Sequence, residues 1–313
     1  MKIIFFVFSL FVQLFSRKFR FLSNPRPIIG IISEPSFSSY YPRSEYSFIA
    51  SSYVKFLESS GARVVPIHYD SSEEELKMML DKVNGLLIPG GGGIDILARA
   101  GQFLLNLAIE KNINGVYFPI WGTCLGHEII INGLTNETNL LSFYNSINVR
   151  LKLRLTNVEK SKVYNSIDKD LLEYIENEEV LFFSHNYALD IERFYENKIL
   201  RDFFFITSTV QNHEGKKYIS SIEGKNFPIY GIQYHPEKSP FEWNESLNIS
   251  RDPKAIRLSQ NYGNFIVNEA KKNDQHFFDK EEEDLYSIHQ FSSIFLDGGY
   301  TECYFFKNKK SNE

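Results

Sequence analysis

Val116-Tyr117-Phe118-Pro119-Ile120-Trp121 runs directly into Gly122-Thr123-Cys124-Leu125-Gly126-His127-Glu128, and then into Ile129-Ile130-Ile131. The first run is apolar throughout and reads as a fully buried strand, and the segment after Gly126 reads as a helix. A cysteine with glycine two residues before and two after it suits a sharp strand-to-helix turn. There the central backbone is strained and only glycine lets neighbouring chains come close. Such a turn lifts the sulfur clear of the sheet and sets it at a helix N-terminus, whose partial positive charge is expected to favour the thiolate. It also aims the N–H of Leu125 at a carbonyl oxygen that gains charge under attack. The plain alternative is a buried structural cysteine beside a glycine turn.

Working outward, Pro27 to Ile32 is a strand closed by Ser33, Glu34 and Pro35. Tyr46 to Ser60 puts Phe48, Ile49, Tyr53, Phe56 and Leu57 on one face at helical spacing, with Gly61 as the stop. Val64 to Ile67 is a strand, Ser72 to Val83 an amphipathic helix, and Gly85 to Ile88 a third strand, before a helix over Ile94 to Lys111. Strands alternating with helices predict an α/β fold, a mostly parallel central sheet covered on both faces, with right-handed crossovers. Residues 145–218 mix strand-like runs (Val180 to Phe183, Phe203 to Thr207) with polar loops. Ile229 to Tyr234 is a late strand, and the charged tail closes on a strand-like Cys303 to Phe306. No repeat or linker divides residues 23–313, which read as one domain.

Two further segments complete a reactive constellation. The third strand ends in Pro89 and the glycines Gly90 to Gly93, at the carboxyl edge where open α/β sheets place their sites. A backbone free of side chains can offer a second N–H to the oxyanion, and Gly91 is the candidate donor. The Lys-Ser/Thr of a phosphate loop is missing. In Gly231-Ile232-Gln233-Tyr234-His235-Pro236-Glu237-Lys238 a histidine follows an apolar strand. Glu237, two residues on, is expected on the same side of an extended chain, where it can orient the imidazole. A base beside a thiol, held by a carboxylate, is the logic of nucleophilic hydrolysis.

Composition narrows the setting. At 313 residues, 43% hydrophobic and 23% charged, the chain is an ordinary globular one. A net charge of −5 without a basic stripe gives no support to nucleic-acid binding. Met1-Lys2 followed by apolar Ile3 to Phe15 reads as a signal peptide over residues 1–22, too short to span a bilayer. It implies a secreted or lumenal protein, with no membrane segment in the mature form. The sequons at Asn136, Asn244 and Asn248 agree with secretion. With only Cys124 and Cys303 there is no disulfide framework, and Cys124 is expected to stay free. No spacing suggests a metal site, and the chemistry needs no cofactor.

These residues resemble a family. Pro27 to Pro35, Ala50 to Val65, Gly85 to Gly92, Pro119 to Gly126 and Gly231 to Trp243 are similar to γ-glutamyl hydrolases of the class I glutamine amidotransferase-like group, over nearly all the mature chain. The resemblance implies a three-layer, flavodoxin-like α/β/α fold, with Cys124 as nucleophile, His235 as base and Glu237 in support. It further implies that His185 and, with it, Tyr46 contact substrate, and that the substrates are folyl and antifolyl poly-γ-glutamates. These are polyanions, so basic residues near the mouth of the site are expected to matter, with Lys238 and Arg43 as the candidates. Lysosome or vacuole as destination and a homodimer follow from the same likeness. His127 departs from the pattern, which has Gln in amidotransferases and an apolar aromatic in γ-glutamyl hydrolases. Two rivals remain: a glutaminase component of an amidotransferase, and a secreted binding protein without catalysis.

Overall fold

In chain order the strands are β1 (Ile28–Ile32), β2 (Glu34–Pro35), β3 (Tyr46–Ala50), β4 (Arg63–Ile67), β5 (Gly85–Ile88), β6 (Ile120–Thr123), β7 (Leu141–Leu151), β8 (Leu153–Leu155), β9 (Leu181–Leu189), β10 (Phe204–Gln211), β11 (Lys217–Gly224), β12 (Ile229–Ile232), β13 (Ser293–Phe295) and β14 (Glu302–Lys307). The longer helices are α1 (Ser51–Glu58), α2 (Glu73–Leu80), α3 (Ile94–Ile113), α4 (Leu125–Thr135) and α5 (Pro253–Ala270). This computed structural model describes residues 24–309 apart from Gly93, Asn136, Thr138 and Asp297. The signal-peptide expectation and the Asn136 sequon therefore lie outside the described residues.

Eight strands form one sheet in the order β4-β1-β5-β6-β12-β11-β10-β8. The first five are mutually parallel and the last three antiparallel. The parallel strands are buried on both faces, as their unbroken apolar runs require. On one face Leu76, Leu97, Leu104 and Ile129 of α2, α3 and α4 pack against Ile28, Leu86 and Ile120. On the other, Tyr53, Leu57, Tyr262 and Phe265 of α1 and α5 pack against Ile29, Leu87, Trp121 and Tyr230. Each large side chain so buried contributes roughly 1.5–3 kcal/mol. The three-layer α/β/α class with a mostly parallel sheet is the one expected.

Local chemistry explains the boundaries. Ser72 caps α2 by accepting the Glu75 N–H, while Glu75 accepts the Ser72 N–H, a reciprocal capping box. The strand expected from Val116 begins only at Ile120, after Pro119, which has no N–H for the ladder.

The expected helix from Tyr46 is corrected, because its first five residues are strand β3. They pair with β14 on one side, Phe48 facing Phe305, and with β2 on the other, Glu34 facing Phe48. Long-range pairing with the tail overrides the helical spacing, and the helix starts at Ser51. A small sheet, β13-β14-β3-β2, results. Residues 145–218 are also more regular than their polarity suggests. Strands β7 and β9 form an antiparallel ribbon, and β8, β10 and β11 extend the main sheet.

Candidate active site

Strand β6 ends at Thr123, and Cys124 has φ of 51°, a conformation non-glycine residues rarely adopt and one costing about 1–3 kcal/mol. Two backbone bonds hold it there. The Cys124 N–H donates to Ile232 O at 2.7 Å, and Cys124 O accepts the first helical bond of α4, from Glu128 at 3.1 Å. Gly126 makes the turn feasible, because a Cβ there would lie 2.0 Å from the carbonyl oxygen of Ile88. Cys124 is buried and bonded to no other cysteine, as is Cys303.

The helix terminus does not win the contest over the thiol. Burial pushes the Cys124 thiol well above its usual range and the charge of Glu128 adds to this, against the Leu125 N–H that opposes it. The Leu125 N–H acts in the direction expected of the helix terminus, but burial works against the thiolate, so a base able to take the proton has a part to play. In the resting structure the Leu125 N–H is directed at the sulfur.

His235 comes from beside β12, three residues past the strand's end. Its N–H donates to Phe182 O on β9 at 3.0 Å. The chain turns here, so the contact with Glu237 arises differently from the extended geometry expected. Glu237 sits in the helical region, φ −66° and ψ −19°, at the start of a short helix over Lys238–Phe241. The turn brings its Oε1 to 2.7 Å from His235 Nδ1. Both side chains are buried, at 5% and 1% exposure, so the bond works in a low dielectric. Burial alone would raise the Glu237 carboxyl, but the His235 charge and hydrogen bond overcome it and hold the group below its ordinary value. Arg251 fixes the segment by donating to the carbonyls of Lys238 (2.9 Å), Ser239 (2.7 Å) and Glu242.

One glycine shows how close the parts lie. A Cβ on Gly90 would meet His235 Cε1 at 2.6 Å, Cys124 Cβ at 2.8 Å and Tyr53 Oη at 3.0 Å. Cysteine, imidazole and tyrosine thus converge on one Cα. The Gly90 N–H donates to Tyr53 Oη at 2.7 Å, and that hydroxyl lies 3.5 Å from His235 Nδ1. Beneath Gly91 lies Glu34, whose carboxyl accepts the Gly92 N–H. Burial raises Glu34 to about 8, against the pull of Lys238 and that N–H. On the other side of the sulfur, Gln233 Nε2 lies 4.0 Å from Cys124 Sγ and donates to Glu128 Oε1 at 3.0 Å. Burial raises Glu128 to about 7.

Residues 45–249 match the class I glutamine amidotransferase family. The chain is 39% identical over 277 residues to a γ-glutamyl hydrolase of Rattus norvegicus, covering 87% of this chain and 86% of that one. It is 36% identical over 289 residues to the γ-glutamyl hydrolase of Homo sapiens, covering 90% of each. With γ-glutamyl hydrolase B of Dictyostelium discoideum it shares 34% over 284 residues, 88% of this chain and 82% of that one. The chain belongs to the γ-glutamyl hydrolase family. It is an enzyme, and it has the α/β fold that its sequence resemblance implied.

For a γ-glutamyl hydrolase family member, the remaining expected residues fall as follows. His185, on β9, is buried and bonded to Tyr187 O at 2.9 Å and to Tyr218 Oη at 3.1 Å. Burial, with the charges of His235 and His127 adding to it, lowers it to about 3. Tyr46 lies half-buried on β3, edge-on to Tyr41 at 5.2 Å, rather than on a helix. Lys238 is inside the site, 4% exposed, with Nζ 4.5 Å above the Tyr300 ring, whereas Arg43 is exposed. His127 fills the gap between α4 and β12, where a Cβ on Gly231 would lie 2.4 Å from its Nδ1. Burial lowers it to about 4. Asn244 donates to Gly298 O at 3.0 Å, and Asn248 is exposed.

Sequence reading passed over Glu34, Tyr53, Glu128 and Gln233. Glu34 carried a usable signal, an acid at the carboxyl end of the first parallel strand. Tyr53 carried none, since its ring packs like any core aromatic while its hydroxyl alone reaches the site.

Proposed function

We propose that this protein hydrolyses γ-glutamyl amide bonds of folyl poly-γ-glutamates through a thioester on Cys124. His235 takes the thiol proton, and the sulfur attacks the γ-carbonyl carbon. The Leu125 and Gly91 N–H groups hold the resulting oxyanion. Its collapse breaks the C–N bond as His235 returns the proton to the departing amine, leaving a γ-glutamyl thioester. Water then attacks, giving its proton to His235, and the second tetrahedral adduct releases the γ-carboxylate and the thiol. Glu237 holds the imidazole with Nδ1–H directed at it, so Nε2 is the nitrogen that moves the proton. His185 and Tyr46 bind substrate, and Lys238 and Arg43 serve its carboxylates.

The observation that carries this reading is the convergence of Cys124, His235 and Tyr53 on Gly90, with Glu237 fixed on the imidazole. Family membership supports the substrate class. A thiol raised by burial suits a general-base route rather than a standing ion pair. We further propose entry into the secretory lumen, with glycans at Asn244 and Asn248, and a homodimer as the working form.

The test is hydrolysis of pteroyl-pentaglutamate by wild type and Cys124→Ala, with products resolved by length and glutamine run alongside. Shortened folates from wild type alone are expected. Ammonia from glutamine without folate cleavage would point instead to a glutaminase. Inertness toward both would leave a binding protein.

A further inference from the structure

The backbone amides on either side of Gly91 are both committed. The Gly90 N–H donates to Tyr53 Oη at 2.7 Å, and the Gly92 N–H donates to the Glu34 carboxyl. Between them, Gly91 rests directly on Glu34, where a Cβ would fall 1.3 Å from Oε2 and 2.3 Å from Cδ. We propose that Glu34 and Tyr53 are positioning residues for the oxyanion donor, gripping the glycine turn from both sides so that the Gly91 N–H stays aimed at the acyl oxygen. This rests on the thioester reading above and adds two residues to it.

Both grips hang from one body. Glu34 lies in β2, in register with Phe48 of β3, and Tyr53 stands in the first turn of α1, which leaves β3 without a loop. The small sheet therefore fixes the separation of the two acceptors independently of the glycine turn they hold. The glycines have no side chains with which to anchor themselves, so an aimed N–H requires outside support.

Glu34 also has the marks of a group kept for a purpose. It is 2% exposed, and Oε1 has no hydrogen-bond partner among the described residues. A buried carboxyl left half satisfied is unfavourable, and such groups in native proteins call for an explanation. Packing alone would be served better by an apolar side chain. The acceptor bonded to the Gly92 N–H is what an apolar replacement would lose.

The experiment compares wild type with Glu34→Ala, Glu34→Gln and Tyr53→Phe. It reads kcat and KM on a γ-glutamyl amide, and inhibition by the matching γ-glutamyl aldehyde and by the product acid. The aldehyde adds to Cys124 and forms an oxyanion, while the product acid does not. Removing an oxyanion donor outright typically costs 10²–10³ in kcat, so a misaimed donor is expected to cost about 10- to 100-fold. Glu34→Ala should show that loss, with KM and product inhibition within about twofold and aldehyde affinity falling in step with kcat. Glu34→Gln keeps an acceptor and should recover most of the activity. Tyr53→Phe, which removes a single oxygen, should fall in the same direction and carries the comparison if the alanine variant does not fold. Wild-type kcat in Glu34→Ala and Tyr53→Phe, or parallel weakening of aldehyde and product, would overturn the assignment while leaving the thioester route intact. A wild type that cleaves no γ-glutamyl amide would remove that route itself.

Discussion

Glu128→Gln should make Cys124 more reactive, and only above about pH 7. The magnitude follows from the chain Cys124–Gln233–Glu128. With Gln233 Nε2 at 4.0 Å from the sulfur and 3.0 Å from the carboxylate oxygen, the two are at most about 7 Å apart. Both are buried, so an effective dielectric of about 20 gives roughly 2.4 kcal/mol of repulsion between thiolate and carboxylate. Gln keeps an oxygen to accept the Gln233 bond and removes the charge. Burial holds Glu128 protonated up to about pH 7. Below that pH the carboxyl is neutral and the variant should behave as wild type. Above it, wild type gains a negative charge and the variant does not. At pH 8.5, iodoacetamide should therefore alkylate Cys124 on the order of tenfold or more faster in the variant, with the two rates merging by pH 6. Mass spectrometry of the modified peptide separates Cys124 from Cys303. Equal rates at pH 8.5, or a difference as large at pH 6, would refute the share of Glu128 in raising a thiol that burial already lifts.

Other outcomes follow from the same geometry. Burial raises Glu34 to about 8 and Glu128 to about 7, while their unfolded forms titrate near 4.5, so between these values the folded state binds more protons. Thermal stability should accordingly fall as pH rises from about 4.5 to about 8, and a Glu34→Gln/Glu128→Gln double variant should flatten that slope in calorimetry. Gly126→Ala drives a methyl into the Ile88 carbonyl, and should lower unfolding stability by about 3 kcal/mol, the upper end for overpacking, because the obstacle is backbone. His185→Phe removes the bonds to Tyr187 and Tyr218, costing about 1–2 kcal/mol in denaturant unfolding. If His185 contacts substrate, KM should rise in that variant while Cys124 alkylation is unchanged.

The elbow was legible because it is local. The spacing Gly122, Cys124, Gly126 determines a turn, and the turn in turn decides where the sulfur, the Leu125 N–H and the next helix lie. The parallel strands were legible for a related reason, since burial on both faces writes itself as an uninterrupted apolar run. What escaped depends on partners far along the chain. Residues 46–50 have helical spacing and become a strand only because residues 302–307 pair with them. The His235–Glu237 bond was expected from extended geometry and is made instead by a turn. Glu34 and Tyr53 matter through single oxygens, and no periodicity marks an oxygen.

The pairing of β14 with β3 also has a consequence for biosynthesis. β3 emerges from the ribosome long before the strand that flanks it, since residues 46–50 pair with residues 303–307. Until residue 307 has emerged, β3 has only the two residues of β2 beside it, and an apolar edge stands open. The segment leading into β14 also supplies Tyr300, over which Lys238 sits. A nascent chain can thus complete its large sheet well before β3 gains its long partner and Lys238 gains the ring beneath it. During that interval the open edge is a template for pairing with another copy, and a premature stop near residue 290 would make the interval permanent.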